Sequence, residues 1–216
     1  MTPPLLRDAK SDLMCAMMAN SDMANSDMAN SGMANPSAIY PSAIYPSAIN
    51  AAPRGADIID ALKAARVEFV AAVPDIVTSA GLLWPISRDG ALRLIRLCKE
   101  DEGISICTGL AFCDRRAVLL MQQTGLMDSL NSIRAIAVEY QQPVCMIVGL
   151  LGKEPDRPAA QSAKYGVRII EPVLDAMGID HITLDNPEDV VALAPAINRA
   201  YELSRPVVAL IGRTVV

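Results

Sequence analysis

Apolar runs of strand length recur about six times between residues 67 and 211, separated by segments of helical pattern. They are Val67 to Val73, Leu92 to Cys98, Ala117 to Met121, Val144 to Val148, His181 to Leu184 and Val207 to Ile211. Most are near-continuous rather than alternating. A strand that is apolar at consecutive positions is buried on both faces, which is the condition of a parallel sheet covered by helices on each side. Leu92 to Cys98 is the interrupted run, broken by Arg93 and Arg96. Helices are expected over Ala56 to Ala65, Thr78 to Trp84, Glu102 to Phe112, Ser129 to Tyr140, Ile169 to Met177, and from Pro187 to about Leu203. Pro85 is expected to stop the second of these, and Pro187 suits a first helical turn. The expected fold is therefore α/β, three layers in the order α/β/α, with a mostly parallel sheet of about six strands. Ligands on such sheets bind outside the carboxyl ends of the strands. The segments after Val73, Cys98, Met121 and Val148 are thus the places to inspect.

The first quarter of the chain is different. Met18 to Asp22 is followed by Met23 to Asp27 with the same five letters, and Met28 to Gly32 and Met33 to Ser37 are near copies. Pro36 to Tyr40 then repeats as Pro41 to Tyr45, and Pro46 to Asn50 is a decayed copy. This period fits neither helix nor strand, and prolines at fixed spacing block a continuous helix. Residues 1–53 are read as a low-complexity, disordered tail, and residues 54–216 as one folded domain. The alternative for the tail is a docking arm whose Ile and Tyr residues add an extended segment to a partner.

Composition narrows the function classes. With 52% hydrophobic residues, a core is easily supplied. A formal net charge of -5 argues against a nucleic-acid binder and against an anionic membrane surface. No run of about 18 apolar residues suggests a membrane span. The five cysteines form no CxxC pair, and most lie in apolar segments. Reduced, buried thiols in the cytoplasm are expected. With the single His181 they offer no zinc set, and His181 reads as structural.

Two strand ends carry unusual residues. The first is Lys99-Glu100-Asp101-Glu102-Gly103, leading through small residues to Thr108-Gly109. Acids in a first turn also simply favour a helix's positive end. The second is Met121-Gln122-Gln123-Thr124-Gly125-Leu126-Met127-Asp128, an amide pair and a glycine turn where a ligand would lie. It is equally an ordinary strand-to-helix loop capped by Asp128.

In series, these two segments resemble the thiamine-diphosphate-dependent decarboxylases, in particular their pyrimidine-binding (PYR) domain. The sulfopyruvate and phosphonopyruvate decarboxylases are the members most like it. Glu100 and Gly109 have the spacing of that family's acid and glycine, and Met121 to Asp128 follows the outline of its Met-Gln-Asn-Ser-Gly-Leu-Gly-Asn segment. Val73-Pro74-Asp75 is similar to its first strand end, and the likeness spans roughly residues 56 to 212.

The resemblance implies a thiamine-diphosphate-binding fold of PYR type over residues 54–216. It implies that Glu100 contacts N1′ of the cofactor's aminopyrimidine, with Asp101 and Glu102 as rivals by position. Gln122, Gln123 and Gly125 would border the cofactor, and Pro74 and Asp75 the substrate. Gly103 and Gly109 would allow close backbone approach at a subunit interface. The family's diphosphate and Mg2+ site is marked by Gly-Asp-Gly, which occurs nowhere in this chain. The expected protein is thus the α-type half of a hetero-oligomer. Its β-type partner would supply Gly-Asp-Gly and the Mg2+ ligands. The implied reaction is decarboxylation of a 2-oxo acid, as in sulfopyruvate to sulfoacetaldehyde and CO2. Where some relatives carry His-Arg-Gly after the fourth strand, this chain reads Gly149-Leu150-Leu151-Gly152-Lys153, so any catalytic histidine falls to the partner and the exact 2-oxo acid stays open. Lys153, Arg157 and Lys164 could meet an anionic substrate tail or be solvated loop charges. A carboligase subunit and a degenerate regulatory or scaffold subunit are the competing readings.

Overall fold

The computed structural model describes residues 52–216. The repeats lie outside them, and of the tail read over residues 1–53 only Ala52 and Pro53 are included. All six expected strands form: β1 (Phe69–Ala72), β2 (Arg93–Arg96), β3 (Ala117–Gln122), β4 (Cys145–Gly149), β5 (Asp180–Thr183) and β6 (Val207–Ile211). They make one parallel sheet in the order β2-β1-β3-β4-β6-β5.

The layers follow from strand alternation. Val70, Val118, Leu120, Cys145, Ile147, Val207 and Ala209 point to one side. There they meet α1 (Gly55–Ala64), a π-helical turn (Ser79–Leu83) continued by α2 (Trp84–Ile86), and the carboxyl-terminal α8 (Leu193–Leu203). Ala71, Leu119, Met121, Met146, Val148 and Leu210 point to the other side. That layer holds α3 (Glu100–Phe112), α4 (Gln123–Asp128), α5 (Leu130–Ser132) with the π-helix Ile133–Glu139, α6 (Tyr165–Arg168) and α7 (Ile170–Ala176). Central strands are buried on both faces, which is why their sequences read as runs. The two edge strands are exposed at their ends. Charges at an edge discourage pairing with another chain, which explains why Arg93 and Arg96 interrupt the β2 run. Among the described residues, no helix is long and apolar enough to cross a membrane.

Four local expectations are corrected. Pro85 does not stop a helix; the π-helical turn Ser79–Leu83 runs directly into α2, and Pro85 lies within that helical run. The glycine turn after β3 is not a loop, because α4 begins at Gln123 directly after the strand. Asp128 ends that helix rather than capping the next. Helix α3 starts two residues earlier than expected, taking Glu100 and Asp101 into its first turn.

The first and last described segments are stitched together. Gly55 N–H donates to the Val216 carbonyl at 2.8 Å, Val216 N–H to that of Pro53 at 3.3 Å, and Val215 N–H to that of Val77 at 3.1 Å. A methyl group on Gly55 would collide with the Gly81 carbonyl, and one on Gly81 with that of Val215.

Candidate cofactor-facing site

Chain progression reverses between β1 and β3: β2 lies to one side of β1, and β3, β4 and β6 to the other. In open α/β sheets the crevice at such a reversal, outside the carboxyl ends, is where ligands bind. Helices α3 and α4 both begin there. Glu100 opens α3 and is half-buried. Its side chain fills the space that Gly125 leaves empty, since a methyl group at Gly125 would collide with Glu100 Cγ, Cδ and Oε1. Gly103 lets the start of α3 settle against β3; a Cβ there would run into Leu119 and come within 2.8 Å of Leu97 Cδ1. Gly103 thus serves packing within the chain, and Gly109 is also buried within it.

The Glu100 carboxylate makes no hydrogen bond or ion pair with any described residue. Its rivals are engaged locally. Glu102 Oε2 accepts the Cys98 N–H at 3.3 Å. Asp101 Oδ2 lies 3.5 Å from Lys99 Nζ, while its Oδ1 is buried without a partner. Lys99 Nζ also pairs with Asp128 Oδ2 at 3.0 Å, tying the start of α3 to the end of α4.

The two glutamines part company. Gln122 is half-buried, and its amide donates to Thr124 Oγ1 at 2.9 Å. Gln123 is buried and its amide is spent on backbone: Oε1 accepts the Leu151 N–H at 2.8 Å, and Nε2 donates to the Leu151 carbonyl at 3.2 Å. Gln123 thereby fixes the segment that leaves β4. Asp75 is buried, with Oδ1 accepting from Val77 N–H at 2.7 Å and Thr78 N–H at 2.9 Å, and Oδ2 accepting from the Thr78 hydroxyl. Its carboxylate closes its own turn and packs against β4, where a methyl group at Gly149 would sit 2.9 Å from Asp75 Oδ1. Pro74 is exposed beside it. The fold therefore seats Glu100 on Gly125 beside the reversal, leaves Gln122 at the carboxyl end of β3 with its amide on Thr124, and uses Gln123 and Asp75 to fix the surrounding backbone. The Asp75–Thr78 spacing signals such a capped turn in the sequence.

The loop charges also resolve. Lys153 is not solvated: its side chain is 2% exposed, and Nζ pairs with Asp185 Oδ2 at 2.7 Å. Asp185 Oδ1 in turn accepts the Gly212 N–H at 3.0 Å. The loops after β4, β5 and β6 thus share one buried pair. Arg157 is exposed and paired with the adjacent Asp156. His181 contacts Asp175 Oδ1 at 3.1 Å at the far end of β5, away from the crevice.

The sulfopyruvate decarboxylase subunit alpha of Methanocaldococcus jannaschii is 29% identical over 71% of this chain and 89% of its own length. The chain is a homologue of these α subunits. A sulfopyruvate decarboxylase of Methanosarcina acetivorans is 26% identical over 55% of the chain, but the match covers only 30% of that longer relative. No protein-family model matches. Among solved structures, the 2-oxoglutarate:ferredoxin oxidoreductase of Magnetococcus marinus superposes with a TM-score of 0.56 at 13% identity, covering 74% of this chain and 29% of that one. The fold expected from the sequence resemblance is the one found.

The contact between Glu100 and Gly125 gives a direct prediction for the homologue. Gly125→Ala displaces the flexible end of a side chain rather than any backbone, so the melting temperature is expected to stay within about 3 °C of the parent, a change of roughly 1 kcal/mol or less. The acid itself is pushed aside, and a 1 Å misplacement can cost on the order of 100-fold in rate. Thermal melting beside turnover checks both halves. A variant that melts early, or keeps full activity, contradicts the contact's role.

Proposed function

We propose that the chain is the α-type, pyrimidine-binding half of a thiamine-diphosphate-dependent 2-oxo acid decarboxylase. Sulfopyruvate, converted to sulfoacetaldehyde and CO2, is the substrate to which the relatives' names point. The observation that carries this reading is Glu100: a half-buried carboxylate without a partner among the described residues, seated on Gly125 at the sheet's reversal.

The residues fit the aminopyrimidine end of the cofactor. Glu100 supplies a carboxylate to share a proton with N1′, and Gly125 leaves that carboxylate its place. Gln122 offers an amide at the same edge, while Gln123 and Asp75 hold the surrounding backbone. When bound, thiamine diphosphate supplies the electron sink for the pair released with CO2. Glu100's task is to hold and return a proton at one stated atom, which is general acid–base work of about 10²–10⁴-fold.

The diphosphate end falls to a second subunit in this reading. Among the described residues, no cluster of three or more His, Cys, Asp or Glu side chains could hold a metal. Mg2+ prefers oxygen ligands and substrate phosphates, and we assign it to a β-type partner carrying Gly-Asp-Gly. The "subunit alpha" in a relative's name, and the longer Methanosarcina relative, support a two-part enzyme. A cytoplasmic setting agrees with the free thiols of Cys98, Cys107 and Cys145. Burial pushes the Cys107 thiol up to about 12, so it remains protonated and inert.

The test is CO2 release from sulfopyruvate, with phosphonopyruvate and pyruvate beside it. The chain is co-purified with the Gly-Asp-Gly subunit, thiamine diphosphate and Mg2+, then assayed without that subunit. Release from the complex alone is expected. A stable complex that binds cofactor yet releases no CO2 would transfer the chain to the carboligases, checked with an added aldehyde, or to a non-catalytic scaffold.

A further inference from the structure

We propose that Lys164 is the specificity-determining cation of this site, the group that meets the anionic tail of the substrate; the proposal rests on reading the chain as half of a 2-oxo acid decarboxylase. A chain of contacts leads from the acid to this lysine. Glu100 sits on Gly125 of α4, and Gln123 at the start of the same helix grips Leu151 by both backbone groups. Gly152 follows, with φ +84°, and the stem of Lys164 lies over it: Cγ, Cε and Cδ are 3.6, 3.7 and 4.0 Å from where a Cβ would stand. Lys164 immediately precedes α6, which packs against α4 in the same layer as Glu100.

The base of the side chain is fixed while its tip is free. Lys164 N–H donates to Ser162 Oγ at 3.0 Å, and the buried Ser162 hydroxyl donates to Glu154 Oε2 at 2.7 Å. The ammonium itself makes no hydrogen bond or ion pair among the described residues. An ammonium on a flexible stem is a compact charge well suited to a sulfonate or carboxylate oxygen.

The other cations near this edge are committed or misdirected. Lys153 is buried against Asp185, Arg157 is held by Asp156, and Lys99 is shared by Asp101 and Asp128. Arg213 is turned to the Pro155 carbonyl, to which it donates at 3.1 Å, while its buried Nε has no partner among the described residues, which makes it the rival that the test must include. Arg96 pairs in register with Ala72, and so faces the layer opposite α3 and α4.

The test uses the complex of this chain with its Gly-Asp-Gly subunit, and compares kcat/KM for sulfopyruvate with that for pyruvate, whose tail is uncharged. A charge-assisted hydrogen bond corresponds to roughly 10–100-fold, so Lys164→Ala is expected to lower the sulfopyruvate-to-pyruvate ratio by that factor. Lys164→Arg should restore the ratio to within about threefold of the parent, because the charge is kept. Arg157→Ala and Arg213→Ala should leave it unchanged. An unchanged ratio in Lys164→Ala, an equal loss on both substrates, or a fall in Arg213→Ala instead overturns the proposal. A complex that decarboxylates neither substrate overturns the functional reading, and this inference with it.

Discussion

Glu100→Gln is expected to lower kcat of the assembled complex by about 10²–10⁴-fold, the range of positioned acid–base catalysis, with little change in stability. The substitution keeps the shape of the side chain and its seat on Gly125. It removes the negative charge and, with it, the capacity to exchange a proton. No described residue bonds the carboxylate, so the fold loses no contact. The melting temperature should therefore match the parent within about 2 °C, well under 1 kcal/mol for a chain of this size. Asp101→Asn and Glu102→Gln are the internal comparison, since their carboxylates serve Lys99 and the Cys98 N–H. Each should cost less than about fivefold, as expected for a lost surface contact rather than a lost acid. If Glu100→Gln keeps a fifth of the parent's turnover, or Glu102→Gln is the crippled variant, the acid has been misassigned.

The second large effect concerns stability. Lys153→Met strands Asp185 beside a buried apolar stem, and breaking a buried pair from one side costs about 3–5 kcal/mol. For a domain of this size that is a fall in melting temperature of roughly 6–20 °C. Asp185 is 20% exposed, which favours the lower part of the range. Lys153→Met combined with Asp185→Asn should recover at least half of the loss, because the amide still accepts the Gly212 N–H that Asp185 accepts at 3.0 Å. The two substitutions share one contact, so their effects should be far from additive. Thermal melting of the four proteins closes the cycle. A single Lys153→Met variant melting within 2 °C of the parent would show that the pair is not buried as described.

What the sequence made legible follows from range. The central strands announce themselves because both faces are apolar, and Arg93 and Arg96 mark an edge for the same local reason. Glu100 and Gly125 were readable as motif members, yet nothing local says that one fills the other's missing side chain. The same holds for Gln123, whose partner Leu151 lies 28 residues away, and for Lys153 and Asp185 on separate loops. Polar residues near strand ends look alike in sequence whether they face a ligand or brace a loop. Only packing separates Gln122 from Gln123. The direct passage from β3 into α4 was hidden by Gly125, which reads as a turn residue but is there to admit an acid.

The stitching of Pro53 and Gly55 to Val216 has a consequence for how the fold is wired. Pro53 and Val216 meet within hydrogen-bond distance, so the backbone between them is nearly a closed ring. The order in which the strands occur along the chain is then separable from their order in the sheet. Opening the ring at Gly90, where an added side chain would meet nothing within 4 Å, and joining residue 216 to residue 53 would place β2 and Glu100 first and β1 as the last strand. The crevice belongs to the ring, not to the point at which it is cut.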